Sequence, residues 1–123
     1  MGQTEASRFV VQEHHTPDGV HWDLMIQTGD ALRTWRMAVS PNEISNTPLP
    51  LTAIADHPLR FLTYEGPVQH NTGRVSICDH GRAAITENTL DRVTVTLHGR
   101  HLHGNYRLTR TSDTLRWTLA VET

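Results

Sequence analysis

Gln12-Glu13-His14-His15-Thr16-Pro17-Asp18-Gly19-Val20-His21-Trp22-Asp23 is the stretch that decides how this chain reads. β-Formers lead in at Arg8-Phe9-Val10-Val11 and continue at Leu24-Met25-Ile26, so the segment is predicted as two short strands joined by a tight loop. Side chains alternate between the faces of a strand, which groups Gln12 with His14 and His21 with Asp23 and Met25. If Thr16-Pro17-Asp18-Gly19 folds the chain back, His14 lands opposite His21. The hairpin then offers two imidazoles and a carboxylate within a few ångströms, a donor set that suits a divalent transition metal with open positions. Manganese, zinc, iron and nickel all accept such ligands. His15 is the alternative to His14, and a bulge beside the loop would exchange the two.

The rest of the chain repeats the same alternation between turn signals. Ala31 to Val39, Arg92 to Leu97, Asn105 to Arg110 and Leu115 to Val121 read as strands. So do Leu51 to Asp56 (strand or helical turn) and Leu59 to Tyr64. Arg74 to Asp79 and Arg82 to Glu87 flank His80-Gly81, which reads as a two-residue hairpin turn. Ser40 to Pro50, with its prolines and asparagines, reads as a loop. No helical stripe of useful length is present, and 17 threonines suit half-buried pleated surfaces. About eight short strands in so small a chain gain from closing on themselves, because closure removes exposed edges. The expected fold is all-β and mostly antiparallel: a small closed barrel with little helix, forming one domain over residues 1–123.

Composition excludes more than it assigns. A formal net charge of −2 gives no general cationic field for polyanions. All 11 basic residues are arginine, the side chain suited to bidentate phosphate or carboxylate contacts. Cys78 stands alone, which rules out an internal disulfide, and is expected to act as a small buried hydrophobe. No segment has the roughly 20 apolar residues that span a bilayer. Met1 to Ser7 is polar without a signal-peptide core, and Ala6 breaks a myristoylation pattern, so a cytoplasmic location is expected. Trp22, Trp35 and Trp117 fall in strand interiors and read as packing residues. His98, His101 and His103 alternate around a Gly-rich turn and read as an exposed hairpin rather than a second metal site.

Taken together, Arg8-Phe9-Val10-Val11-Gln12-Glu13-His14, His21-Trp22-Asp23, the Trp35 strand, Asp56-His57-Pro58-Leu59, Tyr64-Glu65-Gly66, Leu97-His98-Gly99 and Leu102-His103-Gly104 resemble the 3′-phosphoesterase domain of bacterial DNA ligase D, especially its small stand-alone relatives. The resemblance runs nearly end to end. It implies a β-barrel enzyme that trims ribonucleotide-bearing or damaged 3′ ends of DNA primers with a divalent metal, typically manganese. It assigns His14, His21 and Asp23 as metal ligands, Gln12 as a contact to phosphate or water, and His57 as a phosphate stabiliser or general acid. The implied partner is nucleic acid, beside a separately encoded ligase or polymerase, with the protein itself a monomer.

Several positions depart from the family pattern. Met25 and Leu49 replace arginines, Ala55 an acidic residue and Phe61 a tyrosine. The hairpin loop is one residue longer, and Val68-Gln69-His70-Asn71-Thr72-Gly73 replaces a Gly-rich segment. The expected metal core is therefore intact while much of the phosphate clamp is missing. Arg36 and Arg74 are the leading candidates to replace it, with His70 and Arg60 behind them. The competing expectations are a nucleic-acid-binding or assembly module that kept the metal site without catalysis, and a barrel hydrolase of an unrelated phosphorylated substrate.

Overall fold

A computed structural model describes residues 7–68, 73–111 and 115–122. Nine strands follow in order: β1 (Ser7–Thr16), β2 (Gly19–Thr28), β3 (Ala31–Met37), β4 (Leu49–Pro58), β5 (Gly66–Pro67), β6 (Arg74–Asn88), β7 (Arg92–His98), β8 (His103–Arg110) and β9 (Arg116–Glu122). They form one antiparallel sheet in the order β1-β2-β3-β4-β9-β8-β7-β6-β5, and β1 also pairs with β6. That extra pairing closes eight strands into a barrel, with β5 appended to β6. The expected fold class is therefore observed.

Alternation sorts the side chains. Phe9 and Val11 of β1, Leu24 and Ile26 of β2, and Trp35 and Met37 of β3 point inward to meet Val95, Leu97, Leu108, Trp117 and Leu119 in the main core. The opposite face of β1–β3 is covered too. Val10, Met25 and Leu32 form a second apolar cluster beneath Leu59, Phe61, Leu62 and Ile77. This outer cover explains why Val10 and Met25 are as buried as the core although they face away from it.

Leu59–Leu62 and His80-Gly81 differ most from the sequence reading. Leu59–Leu62 is a 3-10 turn, not a strand, entered from Pro58. A short apolar run cannot by itself distinguish the two, and this one buries its apolar side chains across the barrel wall rather than within the sheet. His80-Gly81 is not a hairpin turn either: β6 runs through it without a break. Gly81 lies there because the backbone of His98 and Gly99 passes too close for a Cβ. Cys78 is half-buried, and burial with Glu13 and Asp79 nearby pushes its thiol up to about 12, so it stays protonated and inert at neutral pH.

Candidate metal centre and phosphate groove

The hairpin register is the one its sequence implies. Gln12 pairs with Asp23 and His14 with His21, which places all four on the outer face. His14 Nδ1 lies 3.0 Å from His21 Nε2, and His21 Nε2 lies 3.7 Å from Asp23 Oδ2. One donor atom from each of the three falls within 4.8 Å of the others, and among the described residues this is the one such cluster. His15 points to the other face and pairs with Glu13 at 2.5 Å, so it stays outside the cluster. Burial holds the His21 imidazole below its ordinary 6.5, with Arg36 and His14 adding to the effect and Asp23 opposing it. A neutral imidazole keeps the lone pair that a metal needs. Two nitrogens and a carboxylate oxygen at this spacing, nearly buried yet open on one side, fit a divalent cation.

Neighbouring side chains fix the cluster. Arg36, opposite Asp23 in the β2–β3 register, donates Nε to Oδ1 at 3.0 Å and Nη2 toward Oδ2 at 3.5 Å. An outer partner of this kind orients a ligating carboxylate. His57 reaches the same face by a different device. Between Leu32 and Thr34 the β3–β4 register slips, with Thr34 opposite Ile54 but Leu32 opposite His57. Residues 55 and 56 form a bulge that turns His57 from the far face toward the site, the re-aiming that bulges perform beside active sites. Its Nδ1 then sits 3.0 Å from Thr34 Oγ1, whose own proton goes to Leu32 O. The hydroxyl therefore accepts from Nδ1–H, and Nε2 is left to exchange a proton.

A groove of about 580 Å³ joins these groups, lined by Gln12, His14, Asp23, Arg36, His57 and Arg60 with Phe61 and Tyr64. His57, Phe61 and Tyr64 stack edge to face in a row, and the Arg60 guanidinium lies 4.7 Å from the Phe61 ring centre. Among the described residues the Arg60 guanidinium has no hydrogen-bond or ion-pair partner, so its cation is uncommitted at the groove. The sequence alone favours Arg74 over Arg60. The structure places Arg74 opposite His15, lining a separate hollow with Glu65 and Ser76. His70 lies outside the described residues. Two positions that depart from the family pattern are apolar for a structural reason: Met25 belongs to the outer cluster and Leu49 packs against the main core.

Gln12 lines the groove in an unexpected manner. It is 1% exposed, and its Nε2 donates to Phe61 O at 3.1 Å and Tyr64 O at 3.0 Å. Both amide protons are spent on holding the 59–64 segment over the groove, so none is left for phosphate. Gln12→Leu is expected to cost about 1–3 kcal/mol, since two buried carbonyls lose their donor. Urea unfolding measures this, and a cost under half the lower bound would refute the latch.

The model of the DNA ligase D 3′-phosphoesterase domain matches residues 12–110. The chain belongs to that family. A multifunctional non-homologous end joining DNA repair protein LigD of Mycobacterium tuberculosis is 36% identical over 92% of this chain, as is the corresponding Mycobacterium bovis protein. A Mycolicibacterium smegmatis relative is 25% identical over 85%. The chain spans 16% of the length of the first two relatives and 15% of the third. The family match covers every groove residue named above from Gln12 to Tyr64.

Proposed function

We propose that this chain is a metal-dependent phosphoesterase that removes a 3′-terminal ribonucleotide or a 3′-phosphate from DNA ends during repair. One observation carries the reading: the His14, His21 and Asp23 cluster opens onto the same groove as Arg36, His57 and the uncommitted Arg60. Manganese is the metal we favour. Bound by the three ligands, it would supply Lewis-acid charge beside the phosphate.

The remaining work falls to this chain's own side chains. Arg60, braced on Phe61 and Tyr64, binds non-bridging phosphoryl oxygens. Arg36 keeps Asp23 aimed at the cluster and adds positive potential at the groove. His57, held through Nδ1–H by Thr34, acts as the imidazolium: it gives its Nε2 proton to the departing oxygen and is left as the neutral Nδ1–H ring. Among the described residues no helix is long and apolar enough to cross a membrane. A separate ligase or polymerase would use the trimmed end.

The test is a primer–template assay with manganese, using a 3′-ribonucleotide or 3′-phosphate primer. Wild type is expected to trim, and Arg60→Ala to lose about 10²–10³ in kcat/KM, the loss typical of a preorganised charge donor. His57→Ala is expected to lose trimming with metal binding kept. Met25, an apolar residue where the family pattern has arginine, favours a second reading as a non-catalytic nucleic-acid-binding module. Tight metal binding without trimming of either primer would establish that reading instead.

A further inference from the structure

A line of basic side chains crosses the barrel far from the metal centre. Arg8 of β1 is paired directly with Arg82 of β6, Arg82 with His98 of β7, and His98 with His103 of β8. Their inward neighbours Phe9, Ala83, Leu97 and Leu102 are core residues, so all four point outward, and all four are exposed. Like charges placed directly opposite on adjacent strands destabilise a sheet. Elsewhere on this surface the sequence avoids the problem: Arg92 pairs with Glu87, Arg107 with Glu122 and Arg110 with Asp91. Among the described residues neither Arg8, Arg82, His98 nor His103 has a carboxylate partner. The next row along, Ala84, Thr96 and Asn105, is uncharged until Glu122, which Arg107 engages. Exposed His80 in β6, and Arg100 and His101 in the β7–β8 loop, extend the positive character.

The Arg8–Arg82 pair breaks that rule without internal compensation, and the two exposed imidazoles that continue its row, in edge-to-face contact at 5.7 Å, add donors but no counter-charge; such a row indicates a ligand that compensates the arginines. The geometry narrows which one. Four side chains in register cover three strand spacings, about 14 Å, a length that suits successive phosphates rather than one small anion. Arginine and imidazole N–H groups both donate to phosphate oxygens. On β1, Arg8 lies six residues from His14 on the same face, a distance of about 20 Å.

We propose that Arg8, Arg82, His98 and His103 form a backbone-tracking strip that binds the double-stranded part of a nucleic acid whose 3′ end lies in the groove. The position of that end rests on the proposed function above. Duplex rises about 3.4 Å per base pair, so the strip is reached only beyond about six base pairs.

The experiment compares DNA hairpins of 5 and 20 base pairs by fluorescence anisotropy over a salt series. The slope of log affinity against log salt for the long hairpin should fall by about two in the Arg8→Ala, Arg82→Ala double variant, with the short hairpin unaffected. Arg82→Glu should raise Tm, because it removes the Arg8 repulsion, while it weakens binding of the long hairpin. Equal slopes for wild type and double variant, or equal weakening of both hairpins, would overturn the strip. Failure of wild type to bind the long hairpin at low salt would overturn it too and leave an acidic protein surface as the partner. A preference for the long hairpin in a protein that trims nothing would remove the enzyme reading and keep the strip.

Discussion

His21→Ala is expected to lower manganese affinity by more than about a hundredfold and to end 3′-end trimming, while the barrel stays folded. The lower bound follows from metal sites in which loss of a mere outer partner already costs 10–100-fold. His21 is a direct member of the cluster, and it stands between the other two: its Nε2 is 3.0 Å from His14 Nδ1 and 3.7 Å from Asp23 Oδ2. Its side chain is 20% exposed, so truncation opens little cavity in the core. Asp23→Ala would be a poorer test, because it also strands Arg36. Arg36→Ala should give the smaller, 10–100-fold loss expected of a group that aims a ligand. Titration calorimetry with manganese reads both. Unfolding gives an independent readout, since metal at a hundred times Kd stabilises wild type by about 2.7 kcal/mol and should not stabilise His21→Ala. A His21→Ala protein that binds manganese as wild type does would remove the centre altogether.

The His14, His21 and Asp23 cluster was legible in the sequence because it depends on local rules alone. Two alternating strands around a short turn place His14 against His21 and Gln12 against Asp23, whatever the rest of the chain does. The strand pattern and the gain from closure likewise gave the barrel. His57 is a harder case. Motif resemblance pointed to it, but what brings it to the site is a bulge at residues 55 and 56, which depends on the β3–β4 register. Arg60 is hard to place from sequence because Leu59 to Tyr64 reads as a strand. In a strand Arg60 would have been one of a solvated row, whereas the 3-10 turn lays it along the groove wall. Arg74 is the converse case: sequence places it only after a glycine loop, and its register with His15 sets it along a separate hollow. The role of Gln12 was hidden too, since its partners Phe61 O and Tyr64 O are some fifty residues off.

Asp79→Ala is expected to destabilise the fold by about 3–5 kcal/mol, a large part of the 5–15 kcal/mol that holds a domain of this size. Asp79 is 3% exposed. Its carboxylate accepts four backbone N–H groups: His80 at 3.0 Å, Arg100 at 2.7 Å, His101 at 3.1 Å and Leu102 at 2.7 Å. Charge-assisted bonds are worth about 1.5–3 kcal/mol each, but they share one acceptor group and the exposed loop donors regain water, so the sum is well below additive. Asp79→Asn keeps the size and one acceptor oxygen and should lose less. Gly99→Ala attacks the same joint from the other side, because a Cβ there would stand 2.7 Å from Asp79 Oδ1 and 2.5 Å from Phe9 Cζ. Urea unfolding of all three reads the effect as a fall in midpoint at constant slope. A loss under 1 kcal/mol for Asp79→Ala would mean that the loop does not need its anchor. The consequence reaches function through the loop: residues 99–102 connect His98 to His103, the far half of the basic strip. Under conditions where Asp79→Ala remains folded, it should therefore weaken binding of the 20-base-pair hairpin and leave manganese affinity as in wild type, since His14, His21 and Asp23 sit on β1 and β2 and owe nothing to that loop.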